Sequence, residues 1–343
     1  MKITTDLIVK NSYERKARDE TVDNFLGRLT HVSLVNNGIK EIENVERCRN
    51  ATVLYMYDNA ITHISGLSKL TNLTQLYLQN NKIEKIEGLD QLTNLTTLHL
   101  GNNRIKHIEN LNLPLLTTLK LDYQKIPEDE YMTFDEECIK NLSDNLTTLT
   151  LSGNRIQYVS SLRHLKKLET LDLSNNLIFN WEDVKIMLKG FENLLNLNLI
   201  SNPVSVKGLK FRQKVVYACK KLEVFNHKEI TDIEKQYVIK MAQSNRLIEK
   251  RKKEELLKKQ NSMSSDISDF STSTNSSNIS LGLSKNSSND SLNTKIYPHM
   301  PPYYSQYRDL YLLNKKRNEK NNEYFQKSFN NKTYNRSNSS RFL

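Results

Sequence analysis

Cysteine is scarce in this chain. Three residues, Cys48, Cys138 and Cys219, stand far apart in 343. An odd number with no close pair makes neither a disulfide framework nor a zinc ligand set, and it fits reduced thiols in an intracellular protein. Long apolar runs are missing as well. None approaches the roughly 18 residues that would read as a membrane span. The opening Met1-Lys2-Ile3-Thr4-Thr5-Asp6-Leu7 has no apolar stretch of the signal-peptide kind. The expected compartment is therefore cytosolic or cytoskeletal, with no membrane association, and a sequon such as Asn72-Leu73-Thr74 carries no glycan. Catalytic signatures are also absent. There is no glycine loop to cradle phosphate, no His-Glu-x-x-His and no Gly-x-Ser-x-Gly, and the seven histidines are scattered. No enzyme activity, cofactor, metal or small-molecule substrate is expected.

Charge is unevenly spread. The net charge is +11, yet residues 241–343 hold eighteen Lys or Arg against nine Asp or Glu. Residues 1–240 are close to neutral. A nucleic-acid reading would rest on the tail alone, and the tail lacks Gly-Arg repeats and any recognisable module.

What the chain has is an asparagine every 22 residues. Asn37, Asn59, Asn81 and Asn103 keep that step, and Asn154 and Asn176 repeat it. Each ends the frame Leu-x-x-Leu-x-Leu-x-x-Asn-x-Ile. This is a leucine-rich repeat, and about eight units align. The expected fold is α/β: a solenoid with a curved parallel sheet, a helical C-terminal cap and a disordered tail. Such a solenoid offers an open face to another macromolecule. The fifth unit is irregular. Leu116, Leu119 and Leu121 are in place, but Gln124 replaces the asparagine and an insertion at 127–141 follows. A distortion is expected at Gln124, because its stem is longer. The insertion reads equally as a functional loop or a tolerated one. The back half of a unit, such as Ile83–Leu89, is too short for a full helix and reads as a 3₁₀ or single-turn segment.

The expected organisation is a cap over 1–28, repeats over 29–204, a second cap with a charged helix over 205–260, and a Ser/Asn-rich basic tail over 261–343. Within the first cap, Val22, Phe25 and Leu26 are the apolar anchors. Phe211–Cys219 reads as the second cap's helix. The following helix, from Glu229 to about Lys259, has Ile230, Ile233, Tyr237 and Met241 as its apolar residues. In the tail, Ile296–Tyr304 with Tyr307 and Tyr311 is an aromatic-proline segment that reads as a docking motif or as residual clustering.

The frame also acts as a ruler for the concave face. Alternate strand residues face opposite sides, so the residue between the two core leucines forms one column. It runs Ser33, Tyr55, Tyr77, His99, Lys120, Thr150, Asp172, Asn198. The next column runs Val35, Tyr57, Gln79, Gly101, Asp122, Ser152, Ser174, Ile200. Tyr55, Tyr57, Tyr77 and His99 should make an aromatic patch, with Gln79 beside it and Lys120, Asp122 and Tyr123 extending it; Asp172 lies farther along. Tyrosine is favoured at interfaces because it buries a large area with few torsions. Aromatics also fill such faces simply to pack the sheet. The far half, with Thr150, Ser152 and Ser174, reads as plainer. His99 and Asp172 share a column but stand three strands apart, about 14 Å at the usual strand spacing. Thr150 between them has no adjacent base in this reading.

Several segments resemble the leucine-rich-repeat regulatory subunits of protein phosphatase 1, over most of residues 1–240. They are Thr5-Asp6-Leu7-Ile8 with Asn11-Ser12, Val53–Asn59, Leu76–Asn81, the Gln124 unit with its insertion, Leu222-Glu223-Val224-Phe225, and Lys228-Glu229-Ile230. Pro302-Tyr303-Tyr304 is similar to part of the tail. Asn226-His227 stands where those caps commonly carry Asp-Gly. The resemblance implies binding of the phosphatase catalytic subunit and modulation of its activity at the centrosome or another microtubule-organising centre, with tubulin as a further partner. The nearest match to a basic-x-Val/Ile-x-Phe docking peptide, Lys214-Val215-Val216-Tyr217, falls in the expected cap helix, which leaves the concave face as the route. Axonemal dynein light chains have similar repeats. That likeness implies the alternative, an axonemal or ciliary scaffold binding dynein chains or tubulin.

Overall fold

Leucine and isoleucine at fixed positions of each 22-residue unit drive each coil to turn, and the structure shows how. In the computed structural model, residues 1–207 and 209–268 are described, with side chains described as far as Lys258, Lys207 excepted. Of the tail expected over 261–343, residues 261–268 are helical rather than disordered; the rest, including the aromatic-proline segment, lies outside the described residues.

Two short helices come first: α1 (Thr5–Asn11) and α2 (Val22–Arg28). Threonine caps both, Thr4 accepting from the Leu7 amide and Thr21 from that of Asn24. Three-residue strands follow at the 22-residue period: β1 (His31–Ser33), β2 (Val53–Tyr55), β3 (Gln75–Tyr77) and β4 (Thr97–His99). The irregular region holds β5 (His107–Ile108), β6 (Thr118–Lys120), β7 (Thr133–Phe134) and α3 (Glu136–Asn141). Then come β8 (Thr148–Thr150), β9 (Thr170–Asp172), α4 (Trp181–Gly190) and β10 (Asn196–Asn198). The last elements are α5 (Leu209–Ala218), β11 (Val224–Phe225), β12 (Lys228–Glu229) and α6 (Asp232–Ser268).

One ten-stranded sheet runs β1-β2-β3-β4-β6-β8-β9-β10-β11-β12, parallel throughout except for the final antiparallel pair. Strands β5 and β7 form a separate pair, so the insertion adds a small sheet of its own. Phe134 of β7 is half-buried and packs against the core.

The core is a column of Leu and Ile between the sheet and the back of each coil. Leu54, Leu76, Leu98, Leu119, Leu149, Leu171 and Leu197 line the sheet side and are all buried. Full burial of such a side chain is worth about 1.5–3 kcal/mol relative to exposure. On the back, Leu67, Leu70 and Leu73 are joined by amide-to-carbonyl bonds three residues apart, and Leu89, Leu92 and Leu95 repeat this. Cys48 stands where these coils have Leu70 and Leu92, between Val45 and Ala51. Its burial therefore follows from repeat position, and that burial pushes its thiol up to about 11. The expected short turns hold for the early repeats. The seventh differs: Asn176 to Asn202 is longer than the standard step, and the extra length forms the full helix α4.

Two side-chain ladders sew the coils together. In the first, each asparagine bridges two coils. Asn103 Nδ2 donates to Leu78 O (3.0 Å) and Leu100 O (2.9 Å), while Oδ1 accepts from Ile83 N (3.0 Å). Asn81 and Asn176 bond in the same way. Gln124 takes the same place without the expected distortion. Its Nε2 donates to Leu100 O (2.8 Å) and Leu121 O (3.2 Å), and its Oε1 accepts from Ile105 N (2.9 Å). The irregularity falls two residues later. Ile126 N turns back to Gln124 O, and Asn154 Oδ1 takes the Gln124 amide instead. Pro127 follows directly, so the chain leaves the repeat path there.

The second ladder is made of threonines just before each strand. Thr52, Thr74, Thr96, Thr117 and Thr147 each donate Oγ1–H to the carbonyl of the threonine one coil back, at 3.0–3.2 Å.

The caps differ from expectation in detail. Phe25 and Leu26 are buried with Ile3, Leu7 and Ile8, but Val22 is 37% exposed, because it sits on the first turn of α2 facing solvent. At the other end Phe211, Val215 and Val216 of α5 close the core. Helix α6 is held by Val238, with Ile230 just before it; Ile233 and Tyr237 are exposed rather than packed. Asn226 and His227 both adopt left-handed backbone, φ 53° and 60°, and join β11 to β12 as a two-residue hairpin.

Candidate functional site: the open face of the sheet

The register fixes the first column. Ser33, Tyr55, Tyr77, His99, Lys120, Thr150, Asp172 and Asn198 are successive partners across neighbouring strands. Each lies between two buried aliphatic residues, leucines except for Val32 before Ser33 and Met56 after Tyr55, and points away from the core. The ruler read from the asparagines therefore brings Tyr55, Tyr77 and His99 side by side.

The rings touch in a defined order. Tyr55 stacks on Tyr77, centroids 5.0 Å apart and planes 19° apart. Tyr57 meets Tyr55 edge-on at 6.4 Å and 88°, and His99 meets Tyr77 edge-on at 4.7 Å and 84°. All four are half-buried, so one side of the patch still faces solvent. The Tyr77 hydroxyl donates to Gln75 Oε1 at 2.9 Å. Burial holds the Tyr77 phenol above its usual range, with Tyr55 adding to this. Burial also pushes the His99 imidazole down to about 4, and the Lys120 cation beside it acts in the same direction. His99 is thus a neutral ring at neutral pH, part of an uncharged aromatic surface.

Gln79 lies in the neighbouring column. Its Oε1 is buried without a hydrogen-bond partner, which is uncommon for a polar atom. Tyr123 is 52% exposed and left-handed (φ 54°), and its ring covers Gly153, which has no side chain to obstruct it.

The far half is not plain. The Thr150 hydroxyl donates to Asp122 Oδ2 at 2.5 Å, and the Ser152 amide donates to Asp122 Oδ1 at 2.9 Å. Thr150 therefore does have a carboxylate beside it, contrary to the sequence expectation, and both oxygens of that carboxylate are already engaged. Ser152 and Ser174 share a 2.9 Å bond. Asp172 accepts from the Ser174 amide at 2.8 Å and from Asn198 Nδ2 at 3.2 Å, and Asn198 reaches His227 Nε2 at 3.2 Å. Burial raises the Asp122 carboxyl above its ordinary value; the Thr150 and Ser152 bonds oppose this, Asp172 reinforces it and Lys120 opposes it. The face is therefore divided into an aromatic half on β2 to β4 and a polar, carboxylate-bearing half on β6 to β10.

A third column escaped the sequence reading. His31, Val53, Gln75, Thr97, Thr118, Thr148, Thr170 and Asn196 precede the core aliphatic residue of their strands and pair in the same register, with Val53 alone of them buried. The alternation that placed the first column places this one too, one position on the other side of the leucine.

Among the described residues no three His, Cys, Asp or Glu side chains gather as a metal set. None of the described helices is long and apolar enough to cross a membrane. His99 and Asp172 remain three strand steps apart. What the face can do is bind: it presents aromatic area, hydrogen-bonding groups and fixed charge along parallel strands.

Comparison with known proteins agrees with this geometry. The sequence family described as "Leucine Rich repeats (2 copies)" matches residues 52–91 and 144–186. A dynein axonemal assembly factor 1 homolog of Drosophila melanogaster is 35% identical over 96 residues, and that of Drosophila yakuba is 34% identical over 96 residues. Each match covers 26% of this chain and 6% of the relative, so the chain corresponds to a small part of those proteins. Among solved structures, an internalin C2 from Listeria monocytogenes is similar with a TM-score of 0.51 at 22% identity, covering 64% of this chain and 90% of that one. At that identity the likeness concerns the fold alone. By repeat frame, strand register and fold, the chain is a leucine-rich-repeat solenoid.

Proposed function

We propose that this chain is a non-enzymatic scaffold that holds a protein partner on the open face of its sheet, and that it serves the axonemal dynein machinery, with dynein chains or tubulin as partners. The observation that carries this choice is the 96-residue match to dynein axonemal assembly factor 1 homologs. The stacked Tyr55–Tyr77 pair, its neighbours Tyr57 and His99, and the unpartnered Gln79 oxygen supply the surface. Tyrosines half-buried on a rigid sheet lose little further entropy on binding. A cytoplasmic site of action connected with cilia follows from this reading.

A pull-down tests it. The full chain is immobilised and exposed to axonemal dynein chains and to purified tubulin, as wild type and as Tyr55→Ala/Tyr77→Ala. Capture by the wild type and loss in the double variant are expected. Failure of the wild type to retain either partner ends the proposal, and equal capture by both proteins moves binding off this face.

A second reading is regulation of protein phosphatase 1 at the centrosome or another microtubule-organising centre, as expected of a chain resembling regulatory subunit 42 of that phosphatase. It rests on the resemblance of the Gln124 repeat, its insertion and the segment 222–230. The docking-type segment Lys214–Tyr217 lies in α5 with Val215 and Val216 buried, so this reading also needs the sheet face. The matched dynein assembly factors favour the axonemal reading over it. Adding the phosphatase catalytic subunit to the same pull-down separates the two.

A further inference from the structure

Beside the aromatic patch, at the β1 end of the sheet, lies a hollow of about 310 Å³ lined by Tyr13, Glu14, His31, Ser33, Tyr55 and Tyr57. Its walls follow from the register. One face of the Tyr55 ring is covered by Tyr77, 5.0 Å away. On the opposite side the strand partner is Ser33, too small to cover a ring, so the second face of Tyr55 opens into the hollow. Tyr57 stands at 88° to Tyr55 and closes a corner. Tyr13, 85% exposed, comes from the connection between α1 and α2 and forms an outer wall.

The lining contains no Lys or Arg, and Glu14 is its carboxylate. Glu14 is paired with Arg28, but that guanidinium also bonds Glu20. One cation is shared by two carboxylates. The nearby Lys16 amine is bound to the carbonyl oxygens of Ala17 and Glu20. The corner therefore combines an open aromatic face, a perpendicular ring and a carboxylate with a shared counter-ion. Aromatic faces attract cations, and a guanidinium can lie flat on a ring while its N–H fork reaches a carboxylate.

We infer that this hollow seats an arginine side chain of the bound partner, stacked on the free face of Tyr55 and donating to Glu14. The inference rests on the reading of the sheet face as the partner-binding surface and adds the partner's chemistry to it. A lysine would meet the same charge but could not continue the Tyr77–Tyr55 stack, so arginine is the side chain that uses both the ring face and the carboxylate.

The test uses the full chain with ring-labelled tyrosines, whose resonances are assigned by single Tyr→Phe variants. N-acetyl-arginine-amide is titrated in and compared with N-acetyl-citrulline-amide, its uncharged isostere, and with N-acetyl-lysine-amide. Saturable shifts at Tyr55, Tyr57 and Tyr13 with arginine, none with citrulline and weaker ones with lysine are expected. Glu14→Gln and Tyr57→Leu should each weaken arginine binding roughly threefold to tenfold. Unchanged circular dichroism in both variants would show that the fold is intact. Equal response to arginine and citrulline, lysine matching arginine, or no saturable shift with arginine overturns the inference. If the arginine probe fails while dynein or tubulin capture persists, the hollow is wrong and the face reading stands. If the probe binds and no partner is captured, the reverse holds.

Discussion

Asn103 shows how much can depend on one side chain. Its amide satisfies carbonyls of two coils and one amide of the preceding coil, all buried. Alanine there strands those groups, and each buried unpaired group costs about 1–3 kcal/mol. Asn103→Ala should lower unfolding free energy by about 3 kcal/mol or more in urea; a loss of a few tenths would show that water replaces the amide. His99 gives a residue-scale pH signature. Its folded imidazole titrates at about 4 against an ordinary 6.5, so the unfolded chain takes up a proton that the folded one refuses. The stabilisation from its neutral form is complete above about 6.5 and lost as pH falls toward about 4. His99→Gln should flatten that part of the stability–pH curve relative to wild type; parallel curves would mean the ring is more solvated than its surroundings imply.

At the scale of elements, α4 packs against the 3₁₀ turn at Ser160–His164. Gly190 ends α4 against the backbone of Arg163, and a Cβ at Gly190 would fall 2.0 Å from the Arg163 carbonyl oxygen. The helix could accept it only by moving. Gly190→Ala should therefore cost about 1–3 kcal/mol, measurable as a drop in Tm, although alanine is the better helix former. An unchanged Tm would mean that α4 shifts freely. Asp183 ties the same two elements together, accepting from the Val159 and Ser160 amides at 2.6 and 3.2 Å. The threonine and asparagine ladders belong to this scale as well, since each rung fixes the spacing of two coils rather than the shape of one.

At the scale of the whole solenoid, each coil touches its neighbours, so damage spreads by nearest-neighbour steps. Val215 of α5 is fully buried under the last coils. Val215→Ala should reduce hydrogen-exchange protection most in β10 and β11 and progressively less toward β3; uniform loss along the sheet would indicate all-or-none unfolding. This regularity is also why so much was legible beforehand. The 22-residue step identifies Leu76 as core and Tyr77 as face without coordinates, and it predicts that Tyr55, Tyr77 and His99 adjoin. What repetition does not encode was missed. The hollow depends on Tyr13 and Glu14, which lie outside the repeats. The Thr150–Asp122 bond joins two columns across a strand pair separated by the insertion. The anchoring of α6 by Val238 depends on a docking angle, which its own periodicity does not reveal.

The Asn226-His227 hairpin has a consequence at that same scale. By sending β12 back against β11, it ends the parallel run with a strand of the opposite direction. A second copy arriving at this edge finds a pairing pattern that its own β1 cannot continue as another parallel coil. The turn thus acts as a stop against head-to-tail polymerisation, a hazard of any sheet that grows by adding identical strands.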